Sequence, residues 1–295
     1  MNEIVVLTAS YNRADNLQKL YSSLKAQTNK KFEWLIVDDG STDDTENLIS
    51  HFIEENQINI KYIYQSNGGK AKALNKGFCQ SDYAEIFAVV DSDDYLLPNA
   101  IDLIYDNLNR YKNHIDVGAF FFHYKRPDGQ TIESRKKKLD EDKILTVYEY
   151  NNIFGKHDGC ICYFRDAVYE YRYPEYTGEK YVGPTVILME MSEKYKIVYS
   201  PTILGIAEYQ EGGLTKSGRK LRLKNPRGMI HYCTLMMSNK SNLITQFKYG
   251  VSIWPYSRLA KKSFREILSF VKKPLLLLVT YIPGQLLYFY WKKYM

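Results

Sequence analysis

Over its first hundred residues the chain alternates between two hydrophobic periods. Continuous apolar runs fall at 4–9 (IVVLTA), 33–39 (EWLIVDD), 60–65 (IKYIYQ) and 84–91 (AEIFAVVD). Between them apolar residues recur at helical spacing over about 14–27, 43–55 and 70–80, with another such segment after Pro98. Unbroken apolar strands are those buried on both faces of a parallel sheet, and the amphipathic segments are the helices that cover it. The pattern predicts an α/β fold. Ligands of such sheets bind beyond the carboxyl ends of the strands. The polar signatures sit there: SYNR after the first strand, DDGSTDD after the second, DSDD after the fourth.

Past residue 115 the alternation loosens. VGAFFFHY (117–124), CICYF (160–164) and KIVYS (196–200) read as further strands, TVILMEMSEKY (185–195) as a helix, and RKKKLDEDK (135–143) as a loop. Gly212–Gly213 precedes a change of composition, because residues 216–227 hold six basic groups and no acid. The expected organisation is a domain over 1–212, in halves 1–115 and 116–212, followed by a basic helical extension over 213–295.

Locating the net charge of +6 changes the picture. From residue 255 onward eight Lys/Arg face one acid, Glu266, which leaves 32 basic and 33 acidic groups in residues 1–254. A nucleic-acid binder spreads its positive charge over a recognition face. A basic tail beside apolar residues matches an anionic membrane surface instead. The apolar run PLLLLVTYIPGQLLYFYW (274–291) lies between Lys272–Lys273 and Lys292–Lys293. It has the low-end length of a membrane span, and Pro283-Gly284-Gln285 is expected to interrupt it. An interfacial or re-entrant element over about 264–295 is therefore preferred to a clean span, with Tyr288, Phe289, Tyr290 and Trp291 in the headgroup layer. The alternative is a hydrophobic helix packed on its own protein. MNEIVVLTAS shows no leader pattern. Cys79, Cys160, Cys162 and Cys233 include no C-x-x-C pair and read as reduced thiols of a cytosolic protein.

Three motifs carry chemistry. In DDGSTDDT (38–45), capping and turn preferences account for Ser41 to Asp44; they leave Asp38 and Asp39 at a strand end without a structural reason. NGGKAKALNKG (67–77) is a glycine-pair turn opening a helix with Lys70, Lys72 and Lys76 near its start, an anion site by geometry or else a solvated charged face. DSDD (91–94) crowds Asp91, Asp93 and Asp94 together. Such carboxylates disfavour one another's ionisation unless a cation compensates, and oxygen ligands suit Mg²⁺ or Mn²⁺. An acidic turn before Pro98 is the competing reading.

Taken in order and spacing, VVLTASYNRADNLQKLYSSLKAQT, WLIVDDGSTDDT, NGGKAKALNKGF and VVDSDD resemble glycosyltransferase family 2, whose members have the GT-A fold. The resemblance is close over about 1–110 and loose over 111–212. It implies an inverting, metal-dependent transfer from a nucleoside-diphosphate sugar, commonly a UDP-sugar, to an acceptor hydroxyl. In its terms 1–115 is the half that binds the sugar nucleotide and 116–212 the acceptor half. Thr8, Ala9 and Tyr11, with Asp38 or Asp39, would contact the nucleoside. Lys70, Asn75, Asp91 and Ser92 complete the donor site, and Asp91 and Asp93 form the DxD pair holding Mn²⁺ or Mg²⁺. Many members carry Glu-Asp as the base motif; here YTGEKYVGPT (176–185) places Lys180 after Glu179, which is similar to a bacterial surface-polysaccharide subgroup. Glu179 is the candidate base, Asp158 in KHDG (156–159) the reserve, and His157 a structural residue. AEYQEGG (207–213) is a weaker candidate lining. A lipid-linked or surface-polysaccharide acceptor at the cytoplasmic side of a bacterial membrane is the expectation, with no nucleic acid involved. The rivals are a sugar-phosphate nucleotidyltransferase, for which SYNRADN is not the required Gly-rich loop, and a non-catalytic sugar-nucleotide-binding or membrane scaffold.

Overall fold

A computed structural model describes residues 3–130, 137–208, 214–271 and 273–294. The segment at 209–213, with most of AEYQEGG, and part of the basic loop near 135 lie outside the described residues. The chain divides into two compact units, 1–172 with 191–210, and 173–190 with 211–295.

In the first unit the expected alternation appears as β1 (Ile4–Ser10), α1 (Ala14–Lys25), β2 (Phe32–Asp38), α2 (Thr45–Glu55), β3 (Asn59–Tyr64), α3 (Lys70–Cys79) and β4 (Ile86–Val89). There follow β5 (Asp94–Leu96), α4 (Ala100–Tyr111), β6 (Val117–Lys125), β7 (Lys143–Leu145), α5 (Val147–Ile153), β8 (Gly159–Phe164), α6 (Arg165–Glu170) and, after a stretch of the second unit that carries α7 (Val186–Met191), β9 (Lys196–Ala207). The sheet runs β3-β2-β1-β4-β8-β6-β9-β5, with β7 on β9. β3, β2, β1 and β4 are parallel. Beyond β4 the sheet is mixed, since β8 is antiparallel to both β4 and β6 while β6 and β9 are parallel.

β1 and β2 are buried along almost their whole length, which is why their sequences do not alternate. On one face α1 and α2 bring Tyr21 and Phe52 against Trp34, with Tyr21 and Phe52 stacked at 3.8 Å between centroids. The Tyr21 hydroxyl donates to Glu55 Oε2 at 2.8 Å. Burial, and then Glu55, push its pKa up to about 12. Each such fully buried side chain stabilises the fold by about 1.5–3 kcal/mol through area removed from water. The four cysteines are free thiols, and only Cys79 is exposed.

The second unit holds α8 (Leu214–Lys224), α9 (Pro226–Met236), α10 (Leu243–Leu259), α11 (Phe264–Phe270) and α12 (Pro274–Trp291). Two expectations are corrected here. The boundary drawn at 212 omits residues 173–190, which belong with the C-terminal helices. Asn225 Oδ1 accepts the backbone N–H groups of Lys180 and Tyr181 at 2.7 and 3.1 Å, and the Tyr176 hydroxyl meets His231 Nδ1 at 2.7 Å. Nor does Pro283-Gly284-Gln285 interrupt the apolar run, because α12 is one continuous helix. The missing Pro283 N–H faces the carbonyl of Val279 in the exposed part of the helix. Gly284 lets Trp254 pack against the backbone, since a Cβ there would lie 2.4 Å from the indole.

Candidate active site at the carboxyl edge of the sheet

The loops after β1, β2 and β4 and the turn before α3 meet at the carboxyl ends of the parallel strands. The first two are knitted by reciprocal bonds. Asn12 N–H donates to Ser41 Oγ at 2.9 Å, and Thr42 N–H donates to Asn12 Oδ1 at 2.8 Å. Asp38 closes its own turn through Ser41 N–H at 2.8 Å and accepts the Tyr62 hydroxyl at 2.8 Å. Asp39 reaches across instead, accepting Gln65 Nε2, Gly68 N–H and Gly69 N–H, each at 2.7 Å. Gly40 makes the approach possible: its φ is +83°, and a Cβ there would lie 2.8 Å from the Asn67 nitrogen.

The Asp39 clamp fixes the start of α3, where Gly69 (φ 96°) precedes Lys70. The Lys70 ammonium pairs with Asp91. The other two lysines point elsewhere, Lys76 donating to the Tyr64 carbonyl at 3.1 Å while Lys72 is exposed. Asn75 is buried, and its carbonyl accepts Arg172 at 3.3 Å.

The acidic stretch is a tight turn, closed by Asp94 N–H to the Asp91 carbonyl at 3.1 Å and leading directly into β5. Ser92 is buried within it. Burial, and then the Asp91 charge, hold the Asp93 carboxyl above the usual carboxylate range. Asp94 is pushed up to about 8 by burial, then by Asp91 and Asp93. Beside them the Tyr124 hydroxyl is buried, and burial, then Cys160, Asp94 and Asp91, push its pKa well above the ordinary tyrosine value. Crowded oxygen ligands with surplus negative charge fit a hard divalent cation. Among the described residues no three His, Cys, Asp or Glu side chains converge on a metal position. The fit is therefore to a cation held by one or two carboxylates, with phosphate and water supplying the rest.

The remaining expected residues divide by burial. Ala9 and Tyr11 are accessible at the β1 edge, Tyr11 at 48%. Thr8 is a core residue whose hydroxyl accepts the Trp34 indole N–H at 3.1 Å. Asp158 is exposed just before β8. Because Ile161 lies opposite Val89 in the antiparallel register, Asp158 emerges at the same edge as the Asp91 turn. His157 Nδ1 meets the Tyr150 hydroxyl at 3.0 Å, and that hydroxyl also meets His123 Nε2 at 2.9 Å.

Glu179 belongs to the second unit. Its carboxylate accepts the N–H groups of Arg227 and Gly228, at 2.8 and 2.9 Å, in the first turn of α9. An acid at a helix N-terminus satisfies donors the helix cannot. Two of its roughly four acceptor positions are taken in this way.

Sequence reasoning passed over Arg13, whose charge offsets part of the rise that burial and Asp91 impose on the Asp93 pKa; its place in SYNR just past a strand end was the available signal. It also passed over Tyr124, which local pattern could not mark. In the second unit it missed the chain from Tyr176 through His231 to Glu190, closed by His231 Nε2 to Glu190 Oε1 at 2.8 Å.

Comparison with known proteins adds to this geometry. The family model described as Glycosyl transferase family 2 matches residues 5–172. An uncharacterized glycosyltransferase of Nostoc sp. is 32% identical over 155 residues, 51% of this chain and 47% of that protein. The teichoic acid poly(glycerol phosphate) polymerase of Staphylococcus epidermidis is 26% identical over 174 residues, 57% of this chain and 23% of that protein. The chain thus spans less than half the length of these two relatives. Among solved structures, the S. aureus TarS fragment in complex with UDP aligns at TM-score 0.65 and 16% identity, over 97% of this chain and 89% of that one. A mannosyltransferase from Pyrobaculum calidifontis in complex with GDP-Man and Mn²⁺ aligns at TM-score 0.57 and 14% identity, over 96% and 87%. At these identities the structural likeness establishes the GT-A fold.

Proposed function

The chain belongs to glycosyltransferase family 2, and from that premise we propose that it moves a sugar, with inversion, from a nucleoside-diphosphate sugar to a hydroxyl of a lipid-linked or surface-polysaccharide acceptor. The observation that carries the reading is the convergence of Tyr11, the Asp39-clamped start of α3, Lys70 and the Asp91–Asp94 turn on one sheet edge. Ala9 and Tyr11 would meet the nucleoside, with Thr8, Asp38 and Asp39 framing them from below. Lys70 and the first turn of α3 would face the diphosphate, since a helix N-terminus and an ammonium both favour an anion. Asp91 and Asp93 would hold a divalent cation, which when bound supplies Lewis-acid neutralisation of the leaving diphosphate.

In the transfer the acceptor oxygen bonds to the anomeric carbon, the bond from that carbon to the diphosphate oxygen breaks, and the hydroxyl proton passes to a carboxylate. Glu179 is our first assignment for that base and Asp158 the second. Geometry decides such roles before pKa does. UDP is the first nucleotide to test, since TarS was solved with UDP; Mn²⁺ is the first metal, given the mannosyltransferase complex. The acceptor would be met at the cytoplasmic side of a bacterial membrane.

The test is a thermal-shift series of UDP, GDP and dTDP with and without Mn²⁺, followed by release of the nucleoside diphosphate in the presence of acceptor. A ligand at a hundred times its Kd raises stability by about 2.7 kcal/mol. The expected result is a Mn²⁺-dependent shift that Asp93→Ala abolishes. Nucleotide binding that ignores both the metal and Asp93, with no turnover, would place the protein among non-catalytic sugar-nucleotide binders.

A further inference from the structure

Helix α12 carries an apolar surface that its own fold leaves uncovered. One face is packed: Leu277, Thr280, Gly284 and Trp291 are buried, and Thr280 Oγ1 accepts the Trp254 indole N–H of α10 at 3.3 Å. On the opposite face Leu275, Leu278, Val279, Ile282, Leu286 and Phe289 are 55–77% exposed. Their spacing of i, i+3, i+4, i+7, i+11 and i+14 makes one continuous stripe. Residues 274–291 contain no charged residue, over a length of about 27 Å.

Cations bracket the stripe. Lys292 and Lys293 are exposed at its C-terminal end, and Arg258 lies 4.5 Å from the Tyr288 ring centre. Lys261, Lys262 and Arg265 are exposed nearby in sequence, and no acid follows Glu266. We propose that α12 is an in-plane membrane anchor: its stripe enters the acyl boundary of a bilayer bearing anionic phospholipid, and the flanking cations meet the headgroups. Apolar area and electrostatic attraction to anionic lipid together set the strength of such binding.

Two observations fix the mode and the occupant. α10 runs beside α12 on the face away from the stripe, from the Lys273–Gln246 contact through Gly250 with Thr280 to Arg258 with Gln285. A spanning α12 would draw Lys248 and Arg258 of α10 into hydrocarbon, where charged side chains are costly. Lipid therefore meets α12 from one side only. A second copy of the chain is disfavoured because two-fold pairing of the stripes sets Lys273 against Lys273, or against Lys292 and Lys293, with no acid between them. The inference does not rest on the glycosyltransferase reading.

The test uses the purified full chain and sedimentation with phosphatidylcholine vesicles, with and without phosphatidylglycerol. Wild type is expected to pellet with the anionic vesicles. The triple substitution Leu278→Ser, Val279→Ser, Ile282→Ser, whose positions are all exposed, should weaken partition at least about tenfold while circular dichroism and thermal unfolding stay unchanged. Lys292→Gln with Lys293→Gln should remove mainly the preference for anionic lipid. In intact vesicles the thiol of a Lys293→Cys variant that also carries Cys79→Ser, which removes the exposed native thiol, should react with an impermeant maleimide added outside. Wild type left in the supernatant, or undiminished pelleting of the triple variant, overturns the anchor. A lipid-free dimer that the triple variant dissociates overturns the assigned occupant. Protection of the Lys293→Cys thiol until detergent is added overturns the in-plane mode.

Discussion

Asp39 separates a structural clamp from a ligand contact. It is buried, and its carboxylate holds three donors at 2.7 Å, two of them the backbone N–H groups that start α3. Hydrogen bonds to a charged acceptor contribute about 1.5–3 kcal/mol each, and a buried donor left without a partner costs about 1–3 kcal/mol. Asp39→Ala removes all three bonds, but relaxation of the turn recovers part of the loss, so about 3–5 kcal/mol is expected. Asp39→Asn keeps one carbonyl oxygen but turns an amide NH₂ toward a donor, for an expected loss of about 2–3 kcal/mol. At about 2–4 °C per kcal/mol for a chain of this size, the alanine variant should melt roughly 10 °C lower. Urea and thermal unfolding measure this, with UDP binding followed in parallel. An alanine variant within about 1 kcal/mol of wild type that has nonetheless lost UDP would refute the clamp and make Asp39 a nucleoside contact.

The remaining predictions are more local. Asp94, pushed up to about 8 by burial and its neighbours, binds a proton more tightly in the folded chain than in the unfolded one. The metal-free protein should therefore lose stability as pH rises from about 4 to about 8 and level off above that; Asp94→Asn should flatten the profile, and an unchanged slope would count against the Asp94 environment. Gly284→Leu puts a side chain where the Trp254 indole lies 2.4 Å from the Cβ position. It should cost at least about 1–3 kcal/mol through overpacking, read as a fall in melting temperature, whereas tolerance would mean that α12 does not pack on α10 in this way.

Local pattern made the parallel half of the sheet readable. Ile4–Ser10 and Phe32–Asp38 are buried on both faces and so are continuously apolar. The helices between them show one apolar stripe each. The long β9 was legible only over its first five residues, because the rest pairs partly with β5 and includes Pro201, which does not read as strand interior. In the site, strand-end position pointed to Asp38, Asp39 and the Asp91 turn, and the glycine-pair helix start pointed to Lys70. Their division of labour was not legible, because whether an Asp reads a ligand or clamps a turn depends on Gly68 and Gly69, about thirty residues away.

Glu179 shows the same limit over a longer span. From sequence it was the candidate base; in the structure it serves the N-terminus of α9, 48 and 49 residues downstream. No periodicity marks such a pairing, which arises only because Asn225 fastens the Lys180–Tyr181 backbone beside Pro226. Two roles for Glu179 then predict different results. As a clamp alone, Glu179→Gln loses one N–H acceptor, lowers stability by about 1–2 kcal/mol and reduces turnover only as far as α9 shifts. As a base it lowers kcat by about 10²–10⁴-fold with UDP binding unchanged. Asp158→Asn is the matched control, since its exposure keeps the stability change within about 0.5 kcal/mol and any large loss of kcat is then chemical. If Glu179→Gln destabilises yet turns over normally while Asp158→Asn is inactive, the proton goes to Asp158. The acid after Gly178 is then a fastening for α9.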